Sequence, residues 1–182
     1  MKKIIAIACL AAFAACSQNE TKKDATTTTV AATDSPATKL DYPYTIDKMP
    51  DWEIGDPKNA QLALKALRAY ELGNMDESAS YFGDTIRFYG DRYEEKLTND
   101  SLKAMFNAQK IAGDVNKIKM EDWESVRSKD GKDEWVSLWY QQITTTKAGK
   151  VDSVSVMNDL KFVNGKIVLL DEKLRHYAAK KK

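Results

Sequence analysis

EWVSLWYQQITTTKAGKVDSVSVMNDLKFVNGKIVLLDEK, residues 134–173, decides the fold class. Apolar residues recur at every second position, the period of a strand with one buried face. Val136, Leu138 and Tyr140 fall on one face, with Trp135 and Trp139 on the other. Val156, Asn158 and Leu160 share a face in the same way. Asn164-Gly165 is a type I′ hairpin signal, because both residues tolerate positive φ. Ala148-Gly149 marks an earlier turn. Residues 134–145, 151–163 and 166–173 therefore read as three strands of an antiparallel meander. A fourth precedes them at 117–127, closed by Asp130-Gly131.

Upstream the period changes. Asp56-Pro57 is a helix start, with Asp at the N-cap and Pro in the first turn. Leu62, Ala63, Ala66, Leu67 and Tyr70 then recur at helical spacing, and Gly73 stands where a C′ residue ends a helix. A short helix is predicted over 75–82 and a third over 100–112, capped by Thr98 or Asn99. A short strand is predicted at 85–89. Helices gathered before an antiparallel sheet give an α+β class.

Four stretches carry a family resemblance. They are Tyr70-Glu71-Leu72-Gly73-Asn74-Met75-Asp76, Tyr81-Phe82-Gly83-Asp84-Thr85-Ile86-Arg87-Phe88, Thr98-Asn99-Asp100-Ser101-Leu102 and Phe162-Val163-Asn164-Gly165-Lys166-Ile167. In order and spacing, over residues 57–177, the chain is similar to the nuclear transport factor 2-like superfamily, with its SnoaL-like cyclases and ketosteroid isomerase. The resemblance implies a cone-shaped curved antiparallel sheet packed on N-terminal helices, with a pocket inside. It also implies where ketosteroid isomerase chemistry would sit. The general base falls at about Tyr89, and the two oxyanion donors at about Ala66 and Asn158. No carboxylate stands at those positions, and the lone His176 follows the last strand, so no catalytic residue is assigned.

The N-terminus reads as an address. Lys2 and Lys3 precede a twelve-residue apolar run over 4–15. A spanning helix needs about 20 residues, whereas a secretory h-region needs about 7–15. The run ends in Phe13-Ala14-Ala15-Cys16. This resembles a bacterial lipobox, with Phe13 in place of the usual Leu, and makes Cys16 the lipidation site. Ordinary cleavage after Ala12-Phe13-Ala14 is the alternative. Ser17, by resemblance to Gram-negative lipoproteins, directs the chain to the outer membrane. Residues 1–15 are thus a signal peptide and 16–50 a Thr/Ala-rich tether. Residues 51–178 form the domain and 179–182 a basic tail. The tether would reach about 30 Å.

Composition excludes other classes. The chain has 28 Lys+Arg against 27 Asp+Glu, one His and two Cys among its 182 residues. A near-neutral charge does not favour nucleic acid. Two cysteines, both within the first sixteen residues, build neither a disulfide framework nor a zinc site. No cofactor or metal is assigned.

Candidate pocket residues are Tyr70, Tyr89, Trp123, Trp139 and Asn158. Trp123, Trp135 and Trp139 form either an aromatic cradle or ordinary sheet-face packing. Tyr70 either enters the cone or packs in the core. Asn158 either bonds a ligand or satisfies nearby backbone. Three functions fit: an envelope lipoprotein binding a small apolar ligand or protein partner, a SnoaL-like enzyme with a non-standard site, or a homodimerisation module.

Overall fold

The computed structural model describes residues 41–44, 51–111 and 113–177. The chain divides into two units, Met1–Pro43 and Tyr44–Lys182. In the first, residues 41–43 are described, and they are exposed. The signal segment 1–15 with Cys16, almost all of the tether and the basic tail 179–182 lie outside the described residues.

In the second unit the order is β1 (Trp52–Ile54), α1 (Pro57–Glu71), α2 (Met75–Ser80), β2 (Phe82–Gly90), β3 (Tyr93–Thr98), α3 (Asn99–Ile111), β4 (Val115–Ser128), β5 (Glu134–Thr145), β6 (Val151–Val163) and β7 (Lys166–His176). The strands form one curved sheet in the order β1-β4-β5-β6-β7-β2-β3. Its pairs are antiparallel except β2 with β7, which is parallel. That pair departs from the all-antiparallel expectation, because α2 and β2 enter beside the last strand rather than extending the meander.

The local signals explain the elements. Asp56 caps α1, accepting from the Lys58 N–H at 2.8 Å, and Pro57 opens the first turn. At the other end Gly73 takes φ 76°, which a side chain disfavours. The Asn74 N–H then reaches the Ala69 carbonyl at 2.8 Å and the Gly73 N–H that of Tyr70 at 2.9 Å, closing a Schellman turn. Asn164 and Gly165 take φ 51° and 71° between β6 and β7, as a type I′ turn requires.

The core lies between one sheet face and the helices. Ile86, Phe88, Val136, Leu138, Val156, Leu160, Phe162 and Ile167 come from the sheet. Leu102 and Phe106 come from α3. From α1 the buried apolar residues are Ala60, Ala63, Ala66 and Ala69, while Leu62, Leu67 and Tyr70 are only partly buried. Alanines bring the helix axis close but fill little volume. The Ser78 hydroxyl donates to the Ala66 carbonyl at 2.9 Å and fixes α2 on α1.

Candidate functional site

Where α1 presents Ala63 and Ala66 to the sheet, space remains. The cavity measures about 480 Å³, within the range of small-molecule sites. Leu138, Leu160, Leu170 and Leu174 line its sheet wall, and Met105 and Phe106 close the α3 side. Phe106 stacks edge-on against Tyr70 with centroids 5.4 Å apart, which holds the Tyr70 ring at the cavity.

One wall is polar. Asn158 on β6 stands directly opposite Leu138 of β5 and Glu172 of β7. It is 7% exposed. Its Nδ2 donates to the Tyr140 hydroxyl at 3.0 Å. Its Oδ1 is buried with no hydrogen-bond partner among the described residues. Leaving such an acceptor unsatisfied costs roughly 1–3 kcal/mol. A second polar group joins Tyr70, Asn116 and Thr144. Asn116 Nδ2 donates to the Tyr70 hydroxyl at 3.4 Å, and Thr144 Oγ1 donates to Asn116 Oδ1 at 2.8 Å.

Electrostatics follow from burial. Burial raises the Glu172 carboxyl above its ordinary 4.5, and Asp91 adds to the rise. Tyr70 is pushed up to about 12, by burial first and then by Glu172. Tyr140 is raised by burial, by Glu172 and by Tyr70. Glu172 thus couples to both phenols. Its titration also bears on stability. Between 4.5 and its raised value, the folded chain keeps a proton that the unfolded chain has lost. Stability therefore falls as pH rises through that window. Glu172→Gln removes the penalty. Its melting temperature should exceed the parent's at about pH 8, and the gap should shrink at about pH 4. A gap that does not change with pH in calorimetry would refute this.

The candidate pocket residues divide. Tyr70 and Asn158 line the cavity, while Tyr89, Trp123 and Trp139 do not. Phe88, buried and inward, fills the place expected near Tyr89. Tyr89 alternates to the opposite face, paired with Asp171. Trp139 lies between Asp122 and Met157 in register, also on the opposite face from Leu138 and Tyr140. Trp123 pairs with Leu138 but is 51% exposed. With Pro57, Ala60, Leu64 and Arg68 of α1 it lines a separate, open cleft. Of the two readings of the tryptophans, the aromatic cradle is not formed: Trp123, Trp135 and Trp139 do not line the cavity.

Carboxylates do reach the cavity, at positions other than Ala66, Tyr89 and Asn158. Glu172 and Asp114 both line it. Glu172 sits in the pattern Leu170-x-Glu172-x-Leu174, an acid on an apolar strand face, and that alternation is the signal that finds it. Tyr140 shares the face already assigned to Val136 and Leu138. Among the described residues no His/Cys/Asp/Glu cluster could hold a metal, and no helix is long and apolar enough to cross a membrane.

No family model matches the chain, and no curated protein does. Solved structures share its fold. The LEH-like epoxide hydrolase of M. tuberculosis is 11% identical, with a TM-score of 0.54 over 65% of this chain and 84% of its own. SalBIII, an epoxide hydrolase/cyclase-like enzyme with a role in pyran ring formation in polyether salinomycin, is 14% identical. Its TM-score is 0.54, over 65% of this chain and 92% of its own. Bal32a, from a soil-derived mobile gene cassette, is 18% identical, with a TM-score of 0.52 over 65% of this chain and 89% of its own. At such identities the likeness is one of fold. The domain has the nuclear transport factor 2-like fold, whose members include SnoaL-like enzymes and ligand binders.

Proposed function

We propose that this chain is an envelope-anchored lipoprotein whose domain binds one small, largely apolar ligand. The observation that carries the binding reading is the buried, unpartnered Asn158 Oδ1 inside a cavity of about 480 Å³. A buried side-chain acceptor ordinarily has a hydrogen-bond partner, and the described residues supply none for this one. Here a ligand donor completes the set, and the apolar walls take the ligand's body.

The test uses the full chain purified from its native envelope, extracted with solvent and analysed by mass spectrometry. One compound is expected at near one per chain, and Ala66→Phe, which fills the cavity, should lose it. Identical extracts from the two proteins would sink the reading.

The anchor is supported by Lys2-Lys3, the apolar run and Phe13-Ala14-Ala15-Cys16. The lipid on Cys16 holds the chain in the membrane, and Ser17 favours the outer one. Each buried acyl CH₂ contributes about 0.8 kcal/mol. Cys16→Ser should therefore stop labelled palmitate incorporation and move the chain to the soluble fraction. Unchanged membrane retention would count against the anchor.

One observation favours a second reading, a SnoaL-like enzyme. Glu172 lines the cavity, its pKa is raised by burial, and it is electrostatically coupled to the buried Tyr140 hydroxyl, which suits a general base. Under that reading Glu172→Gln abolishes turnover while ligand is still retained.

A further inference from the structure

We propose that the cavity selects an ammonium ligand, a primary or secondary amine on an apolar body, held between Asn158 Oδ1 and the Glu172 carboxylate. The inference rests on the binding reading above and names the ligand's chemical class.

The two oxygens are neighbours. Asn158 and Glu172 face each other across β6 and β7 on the cavity side. Opposed side chains on one sheet face have Cβ atoms about 5 Å apart, so one nitrogen reaches both. Both groups accept hydrogen bonds, since an ionised carboxylate and an amide oxygen have nothing to donate. An ammonium is their complement, because it donates through every N–H and accepts through none. A hydroxyl satisfies Asn158 Oδ1 but brings no countercharge to Glu172.

Charge makes the same selection. Among the described residues lining the cavity, Asp114 and Glu172 are the charged ones, and none is Lys, Arg or His. A carboxylate ligand would bury its charge beside two acids with no cation to meet it. Tyr70, Tyr140, Phe88 and Phe106 are also among the lining residues, and aromatic rings attract a cation over their faces.

The proton balance is explicit. When the ammonium meets ionised Glu172, no proton moves. When it meets protonated Glu172, the carboxyl proton leaves to solvent as the ion pair forms. The groups that bear on Glu172 are Tyr70 from α1, Tyr140 from β5, Tyr93 from β3, Asp91 from the β2–β3 turn and Asn158 from β6. Asp114 lines the same cavity. None of these is a cation, so the ligand supplies the positive charge.

The experiment titrates the full chain in phosphatidylcholine nanodiscs by calorimetry, with empty discs as the blank. Three probes share one body: phenylbutylamine, phenylbutanol and phenylbutyrate. The amine should bind about tenfold more tightly than the alcohol, and the acid should not bind measurably. Glu172→Gln should erase the amine's advantage and leave the alcohol within about twofold. In the wild-type chain, amine affinity should fall as pH drops through the Glu172 titration, with proton release seen as a buffer-dependent heat. That readout stands if the variant fails to fold. An alcohol that matches the amine, or an acid that binds best, would overturn the ammonium assignment while leaving an apolar binding site. No heat from any probe would overturn both.

Discussion

Phe162→Ala is expected to cost about 3–5 kcal/mol of folding stability. The chain's melting temperature should fall by about 12–20 °C in calorimetry. Phe162 is 2% exposed and stands on β6 between Glu134 of β5 and Ile167 of β7. It is buried in the core but does not line the cavity. Truncation therefore opens a new void where packing is complete, and the cost combines lost transfer energy with the void itself. Leu160 is the control. It already borders the cavity, so Leu160→Ala enlarges an existing space and should cost less. A Phe162→Ala loss below about 1 kcal/mol would mean that the core relaxes freely.

Tyr140→Phe is expected to cost about 1–3 kcal/mol, because it leaves Asn158 Nδ2 as unsatisfied as Oδ1 already is. Asn158→Leu removes the orphan acceptor but takes the donor away from the Tyr140 hydroxyl. The double variant Tyr140→Phe/Asn158→Leu removes every polar atom of the pair at nearly constant shape. Such replacements are close to neutral or stabilising. Urea unfolding of the four proteins should show the double variant at least as stable as either single one. Ligand retention should nevertheless be lost. A double variant whose cost is the sum of the two singles would mean that the two side chains are energetically independent and would refute this account of the pair.

Much of the fold is legible in the sequence because its central strands are half-buried. Val136, Leu138 and Tyr140 alternate cleanly, and Asn164-Gly165 allows only a tight hairpin. The edges are less legible. In β3, Tyr93-Glu94-Glu95-Lys96-Leu97-Thr98 is almost wholly exposed and carries no periodic apolar signal. Its strand form comes from pairing with β2. β1 has three exposed residues and is held by β4. The parallel β2–β7 pair joins segments about eighty residues apart, beyond any local pattern.

The site is harder to read for two reasons. Between Met120 and Asp122 the β4 register shifts, so Asn116, Ile118 and Met120 share the sheet face of Leu138 and Tyr140, and beyond the shift Trp123 does so rather than Asp122. Counting by twos through that point misplaces residues. Grouping Trp139 with Trp123 also ignores the alternation that separates Trp139 from Tyr140. Glu172 is overlooked for a different reason. An acid in a strand usually faces water. Only the flanking Leu170 and Leu174 reveal that this one is half-buried at the cavity.

The alanine face of α1 has a consequence for how this domain can diverge. Capacity is written on one element and polarity on others. If the cavity holds a ligand as proposed, Ala63 and Ala66 set how large a body fits, while Asn158 and Glu172 on β6 and β7 set which head group is accepted. A methyl-by-methyl change on the helix resizes the chamber without disturbing a single sheet hydrogen bond. A polar exchange on the strands retunes chemistry without altering volume. The two properties are heritable separately, so a lineage can explore new molecules along either axis one substitution at a time.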